Sequence, residues 1–112
     1  MVKAVFLQKG GNISMTVSGH SNYGTKGNDI VCSACSILAY TLAAIIESEK
    51  ENNTFKSDPI VEAEEGKILI ACEPEEKYYN EILHAFYVTE TGYTLLESNY
   101  PSHVKLLSFG KA

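Results

Sequence analysis

The chain has 112 residues, a formal net charge of −5 and 45% apolar residues. That length suits one domain, 1–112, able to bury roughly two-thirds of the surface its unfolded chain exposes. The acidic balance excludes the basic face of a nucleic-acid binder, so no nucleic acid is expected as partner.

There are three cysteines, Cys32, Cys35 and Cys72. An odd count in a chain with a proper core is not a secreted disulfide framework, so a reducing cytoplasm is the expected location. Met1-Val2-Lys3 leads straight into a strand-like run rather than a signal peptide.

Val2 to Gln8 reads as a strand, with Val2, Val5 and Phe6 apolar. Lys9-Gly10-Gly11-Asn12 turns the chain. Ile13, Met15 and Val17 then alternate with Ser14 and Thr16, the pattern of a half-buried strand in a hairpin with the first. Gly19 to Asn28 is a loop carrying Gly24 and Gly27. Asn28 or Asp29 caps the next helix, which runs to about Lys50.

That helix carries no charge from Ile30 to Ile46. The stretch is shorter than the roughly 20 apolar residues a bilayer demands, and it contains Ser33, Ser36 and Thr41. A buried helix is expected, and no membrane partner. Ile30, Ala34, Ile37, Leu38, Thr41 and Ile45 share one face, and Val31, Ala39, Leu42 and Ile46 form a second apolar side. Two such sides need more cover than a surface helix has.

Glu65-Gly66 is a hairpin turn between strands Pro59–Glu64 and Lys67–Glu73. The run Ile68-Leu69-Ile70-Ala71 points to a central strand. Pro74-Glu75-Glu76 opens a second helix, with Tyr79, Ile82, Leu83, Phe86 and Tyr93 at helical spacing and Gly92 inside the pattern. Val104 to Phe109 is a last strand. The order ββαββαβ predicts an α+β fold of two layers, helices on a mostly antiparallel sheet.

The chemistry gathers between Gly19 and Ser36. Cys32 falls in the first turn of the long helix, whose terminus favours an anion, and His20 precedes it across the glycine loop. A helix terminus offers an anion up to about 2 kcal/mol, which lowers a thiol pKa by only one unit or so. A second cation is needed, and His20 is the nearest candidate. The bland alternative is that a cysteine in an apolar helix is a small buried hydrophobe.

Cys35 completes a Cys-x-x-Cys with Cys32, which would suit a redox pair or, with His20 and Cys72, a zinc site. Cys35 and Cys72 also sit where core residues are expected. Gly19-x4-Gly24-Thr25-Lys26 departs from a phosphate loop, because Gly27 follows the lysine where a Ser or Thr is needed. His84 and His103 read as structural or solvated.

Gly19-His20, followed by Gly27-x-Asp29-Ile30-Val31-Cys32-Ser33-Ala34-x-Ser36, resembles the ribosomal-processing cysteine protease family, Prp. The tail Tyr100-Pro101-x-His103-Val104 is similar too, so the resemblance covers nearly the whole chain. It implies a bacterial endopeptidase that removes the N-terminal extension of large-subunit ribosomal protein number twenty-seven, cutting after paired phenylalanines. It also implies a homodimer. No metal or other cofactor is expected. The family's catalytic pair maps onto His20 and Cys32, with supporting roles for Asp29 and Ser36. Cys35 stands where a small aliphatic residue is usual.

On that footing Cys32 attacks the scissile carbonyl and His20 carries the proton. Backbone N–H groups at the helix start are expected to bind the oxyanion, Asp29 to cap the helix or orient the site, and the loop with Gly24 and Gly27 to close over substrate. The alternatives are a thiol–disulfide oxidoreductase using Cys32 and Cys35, and a non-catalytic ribosome-assembly binding module.

Overall fold

Alternating side chains build the first hairpin of the computed structural model, which describes residues 1–109; the last three residues of the expected domain lie outside it. In β1 (Val2–Lys9), Val2, Ala4 and Phe6 point into the core, while Val5 and Leu7 take the opposite face. In β2 (Asn12–Ser18), Ile13, Met15 and Val17 do the same. The two strands pair antiparallel from Lys3↔Ser18 to Lys9↔Asn12. Gly10, at φ 59°, supplies the left-handed residue that turn needs.

β3 (Ile60–Glu64) and β4 (Lys67–Cys72) form a second antiparallel hairpin, with Gly66 at φ 78° in its turn. β5 (Val104–Leu107) pairs parallel to β1, with Val2 opposite Val104. The sheet order is β3-β4-β2-β1-β5, so the fold is α+β with a mostly antiparallel sheet, as the element order predicts. β4 is paired on both sides, but the middle strand is β2.

α1 (Ile30–Lys50) and α2 (Tyr79–Asn99) cover one face of the sheet. α2 follows a single 3-10 turn at Glu76–Tyr78, so the α-helix begins later than Pro74-Glu75-Glu76 suggests. The two helices approach closely where Gly92 faces Leu38; a Cβ at Gly92 would lie 2.6 Å from Leu38 Cδ2. This glycine therefore permits the crossing rather than breaking the helix.

α1 is long and apolar enough to cross a membrane by length and composition alone. Yet its stripe of Val31, Cys35, Ala39, Leu42 and Ile46 is buried in the core, the placement of a core helix. The other apolar side faces outward: Ile30, Ile37 and Tyr40 are 60%, 63% and 52% exposed. Phe6, Ile13, Met15, Leu42, Ile46 and Phe86 are fully buried, each adding about 1.5–3 kcal/mol over an exposed position.

Candidate active site

The site is assembled at the end of the sheet where β2 leaves it and α1 begins. Asp29 is the N-cap of α1, in extended conformation, and its Oδ1 accepts from Val31 N at 3.0 Å and Cys32 N at 2.9 Å. Its Oδ2 accepts from the amides of Tyr23 and Gly24, each at 3.0 Å, and from Ser21 Oγ at 2.5 Å. One buried carboxylate thus fastens both the helix start and the loop before it. Burial alone would raise its pKa, but the bonds from Ser21, Cys32, Gly24 and Tyr23 outweigh that and hold it far below the ordinary carboxylate range.

Cys32 is half-buried, and its Sγ accepts the Ser21 N–H at 3.3 Å while the thiol lies 3.3 Å from Ser21 Oγ. Ser21 is 1% exposed. Its carbonyl oxygen lies 2.7 Å from His103 Nδ1, and His103 and Tyr100 both meet the Tyr23 ring edge-on. His103, expected to be merely structural or solvated, is thus a prop beneath the loop.

His20 is exposed, and its ring lies over Gly66, where a Cβ would come within 3.2 Å of Nε2. It is the φ of 78° at Gly66, more than this ring, that calls for glycine in the turn after β3. His20 and Cys32 line the same groove, which has two compartments of about 390 and 420 Å³. Among the described residues, the hydrogen-bond partner of Cys32 Sγ is Ser21 and not His20. Val2, Val17, Tyr40 and Ile68 line the first compartment, and Asn22, Lys26 and Gly27 the second. Ser36 and Glu65 line both.

Lys26 Nζ reaches Glu65 Oε1 at 3.0 Å across the groove mouth. That bond, with the charges of Lys26 and His20, lowers the Glu65 pKa. Both partners are largely exposed, so this pair adds little stability. Gly27, at φ 89°, uses its conformational freedom, whereas at Gly24 a Cβ would make a tight approach, 3.1 Å from Asn28 O.

Three amides at the start of α1 are already engaged. Those of Val31 and Cys32 donate to the Asp29 carboxylate, and that of Ser33 donates to the Asp29 carbonyl at 3.0 Å. The cap that orders the helix start thus occupies these three donors.

Cys35 and Cys72 are buried. Burial pushes the Cys35 thiol up to about 11, assisted by Cys32 and Asp29, and Cys72 up to about 12. Neither suits a redox partner, which needs accessible thiolate. Among the described residues, no three His, Cys, Asp or Glu side chains stand together as metal ligands, so the zinc set is not assembled. Ser21 is the site residue that sequence reasoning missed, and His103 has a structural role there that the reading did not tie to the site. The tail motif around His103 was the available signal; a serine beside a histidine was none.

The cysteine protease Prp family matches residues 1–105. The chain belongs to that family. It is a cysteine protease. Its fold resembles the essential ribosomal processing protease Prp of S. aureus, in complex with a covalently linked product peptide. The TM-score is 0.76 at 17% identity, covering 97% of this chain and 99% of that one. A second S. aureus Prp structure, holding a substrate peptide, gives 0.66 at 14% identity over 97% and 99%. SMU.848 from Streptococcus mutans gives 0.64 at 23% identity over 96% and 94%. No curated protein matches the sequence.

Proposed function

We propose that this protease removes the N-terminal extension of large-subunit ribosomal protein number twenty-seven during bacterial ribosome biogenesis, with Cys32 as nucleophile and His20 as general base. The observation that carries the mechanism is the shared groove: a half-buried thiol at a helix start and an exposed imidazole on its wall. His20 takes the thiol proton as substrate enters and returns it to the leaving amine. Because the amides of Val31, Cys32 and Ser33 are committed to Asp29, the Asn22 carboxamide, from a residue lining the same compartment, is the better oxyanion donor. Asp29 serves as anchor rather than base, since five donors stabilise its anion. Ser36, on both compartments, contacts the substrate, and the loop with Gly24 and Gly27 closes over it.

The apolar compartment formed by Val2, Val17, Tyr40 and Ile68 suits an aromatic side chain before the cut. S. aureus Prp carries the description of a ribosomal processing protease and has been seen with substrate peptide, which supports the substrate class. The protein acts in the cytoplasm, in keeping with three unpaired cysteines. It acts as a homodimer through the outward apolar side of α1. Incubation with the extended ribosomal protein, read by mass spectrometry, should give one cut that removes the extension. No cut, or cuts at many unrelated bonds, would reject the substrate.

A further inference from the structure

The environment of Cys32 contains an asymmetry that a Cys–His pair alone does not have. A serine hydroxyl has one proton and two lone pairs. Asp29, an ionised carboxylate, can only accept, so the Ser21 hydroxyl proton lies on the 2.5 Å bond to Asp29 Oδ2. The Tyr23 amide occupies one lone pair of Ser21 Oγ at 3.3 Å, and the other faces Cys32 Sγ at 3.3 Å. Toward the sulfur, then, this hydroxyl can accept but not donate. A thiol satisfies it; a thiolate meets a lone pair and, behind it, a carboxylate.

We propose that Ser21 is a positioning residue whose hydroxyl, locked onto Asp29, holds the Cys32 thiol protonated in the free protein until His20 removes the proton. Its main-chain N–H, donating to the same sulfur, then remains to support the thiolate. His103 steadies that N–H by gripping the Ser21 carbonyl oxygen. The exposed groove would otherwise offer a reactive thiolate to any small electrophile in the cell.

The remaining charges around the sulfur come from several elements. Asp29 and Cys35 stand on or beside α1, His20 and Lys26 on the loop, and Glu64, Glu65 and Lys67 around the β3–β4 turn. Tyr40 lines the far wall, and His103 acts through Ser21. Ser21→Ala leaves all of these side chains in place and removes the hydroxyl, with the oxygen that accepts from the thiol and the proton it gives to Asp29.

The proposal rests on the reading of Cys32 as the nucleophile, and its test is separate from cleavage. The rate of Cys32 alkylation by iodoacetamide is followed against pH, with the modified residue located by fragmentation mass spectrometry. In Ser21→Ala the midpoint of the rate–pH curve should fall by about one pH unit, with alkylation at pH 7 up to about tenfold faster, the size of one hydrogen bond. The plateau rate at high pH should not change. Ser21→Thr, which keeps the hydroxyl, should restore the wild-type midpoint. If Ser21→Ala does not fold, the ultraviolet thiolate absorbance of wild type minus Cys32→Ala decides: its absence at pH 7 supports the proposal, and a full thiolate signal there overturns it. A midpoint that stays or rises, or a rate that grows equally at every pH through loosened packing, overturns the proposal. Cleavage that survives Cys32→Ala would instead overturn the nucleophile assignment and leave this measurement standing.

Discussion

Tyr93 on α2 donates its phenolic proton to the main-chain oxygen of Cys35 on α1 at 2.7 Å. The bond joins the helices at the residue three places after Cys32. Burial, then Cys35, pushes the Tyr93 pKa far above its ordinary value, so the phenol stays a donor at any working pH. Tyr93→Phe should cost about 1 kcal/mol in urea unfolding, the net worth of one such bond. A loss near zero would mean that ring burial alone fixes the crossing.

Cys32→Ala should abolish cleavage and leave the fold intact. His20→Ala should lower kcat by about a hundredfold or more, the usual contribution of a positioned acid–base group. Cys35→Ala should keep most activity. Turnover that needs Cys35 would revive the redox alternative.

Asn22→Gly removes the amide while tolerating the positive φ of 54° at that position. It should reduce kcat about a hundredfold with little change in KM, as loss of one oxyanion donor does. An equal rise in KM with kcat unchanged would place Asn22 in substrate binding instead.

Asp29→Ala should lower the thermal midpoint at pH 7 by uncapping α1 and releasing the loop. The wild-type carboxyl is depressed in the folded state, so its contribution is fully present above its ordinary value of 3.8 and is lost as pH falls below it. The gap between wild type and variant should therefore narrow below about pH 4 in thermal melts, following that linkage. A gap independent of pH would mean that the carboxylate's charge plays no part.

Light scattering should report a dimer at micromolar concentration, and Ile37→Asp, at a position 63% exposed, should give a folded monomer. A wild-type monomer would reject the dimer.

Replacing the aromatic residues before the cut in a peptide substrate by alanine should slow cleavage strongly. The net charge of −5 should also draw in a substrate with basic residues near the cut, so replacing such residues should lower the association rate mainly at low salt, where the field is least screened. Equal cleavage of the aromatic-free peptide would overturn the specificity assignment.

The strands were readable because Ile13, Met15 and Val17 alternate and Gly66 marks its own turn. Which side of α1 is buried was not readable. Both sides are apolar, and only the sheet selects Val31, Ala39, Leu42 and Ile46 over Ile30, Ile37 and Ile45. His20, Cys32 and Asp29 could be named from their order in the chain. Ser21 could not, since its bonds to Asp29 and Cys32 exist only once the loop has folded back.

Val2 donates its amide to the carbonyl oxygen of His103 at 2.9 Å, and β1 and β5 then run side by side. The first strand and the last described one are thus neighbours across about a hundred residues of sequence. Joining segments so distant raises contact order and slows folding. Until Val104 meets Val2, His103 has no fixed place from which to grip the loop, so the pinning of Ser21 beside the thiol belongs to the slow, long-range part of folding.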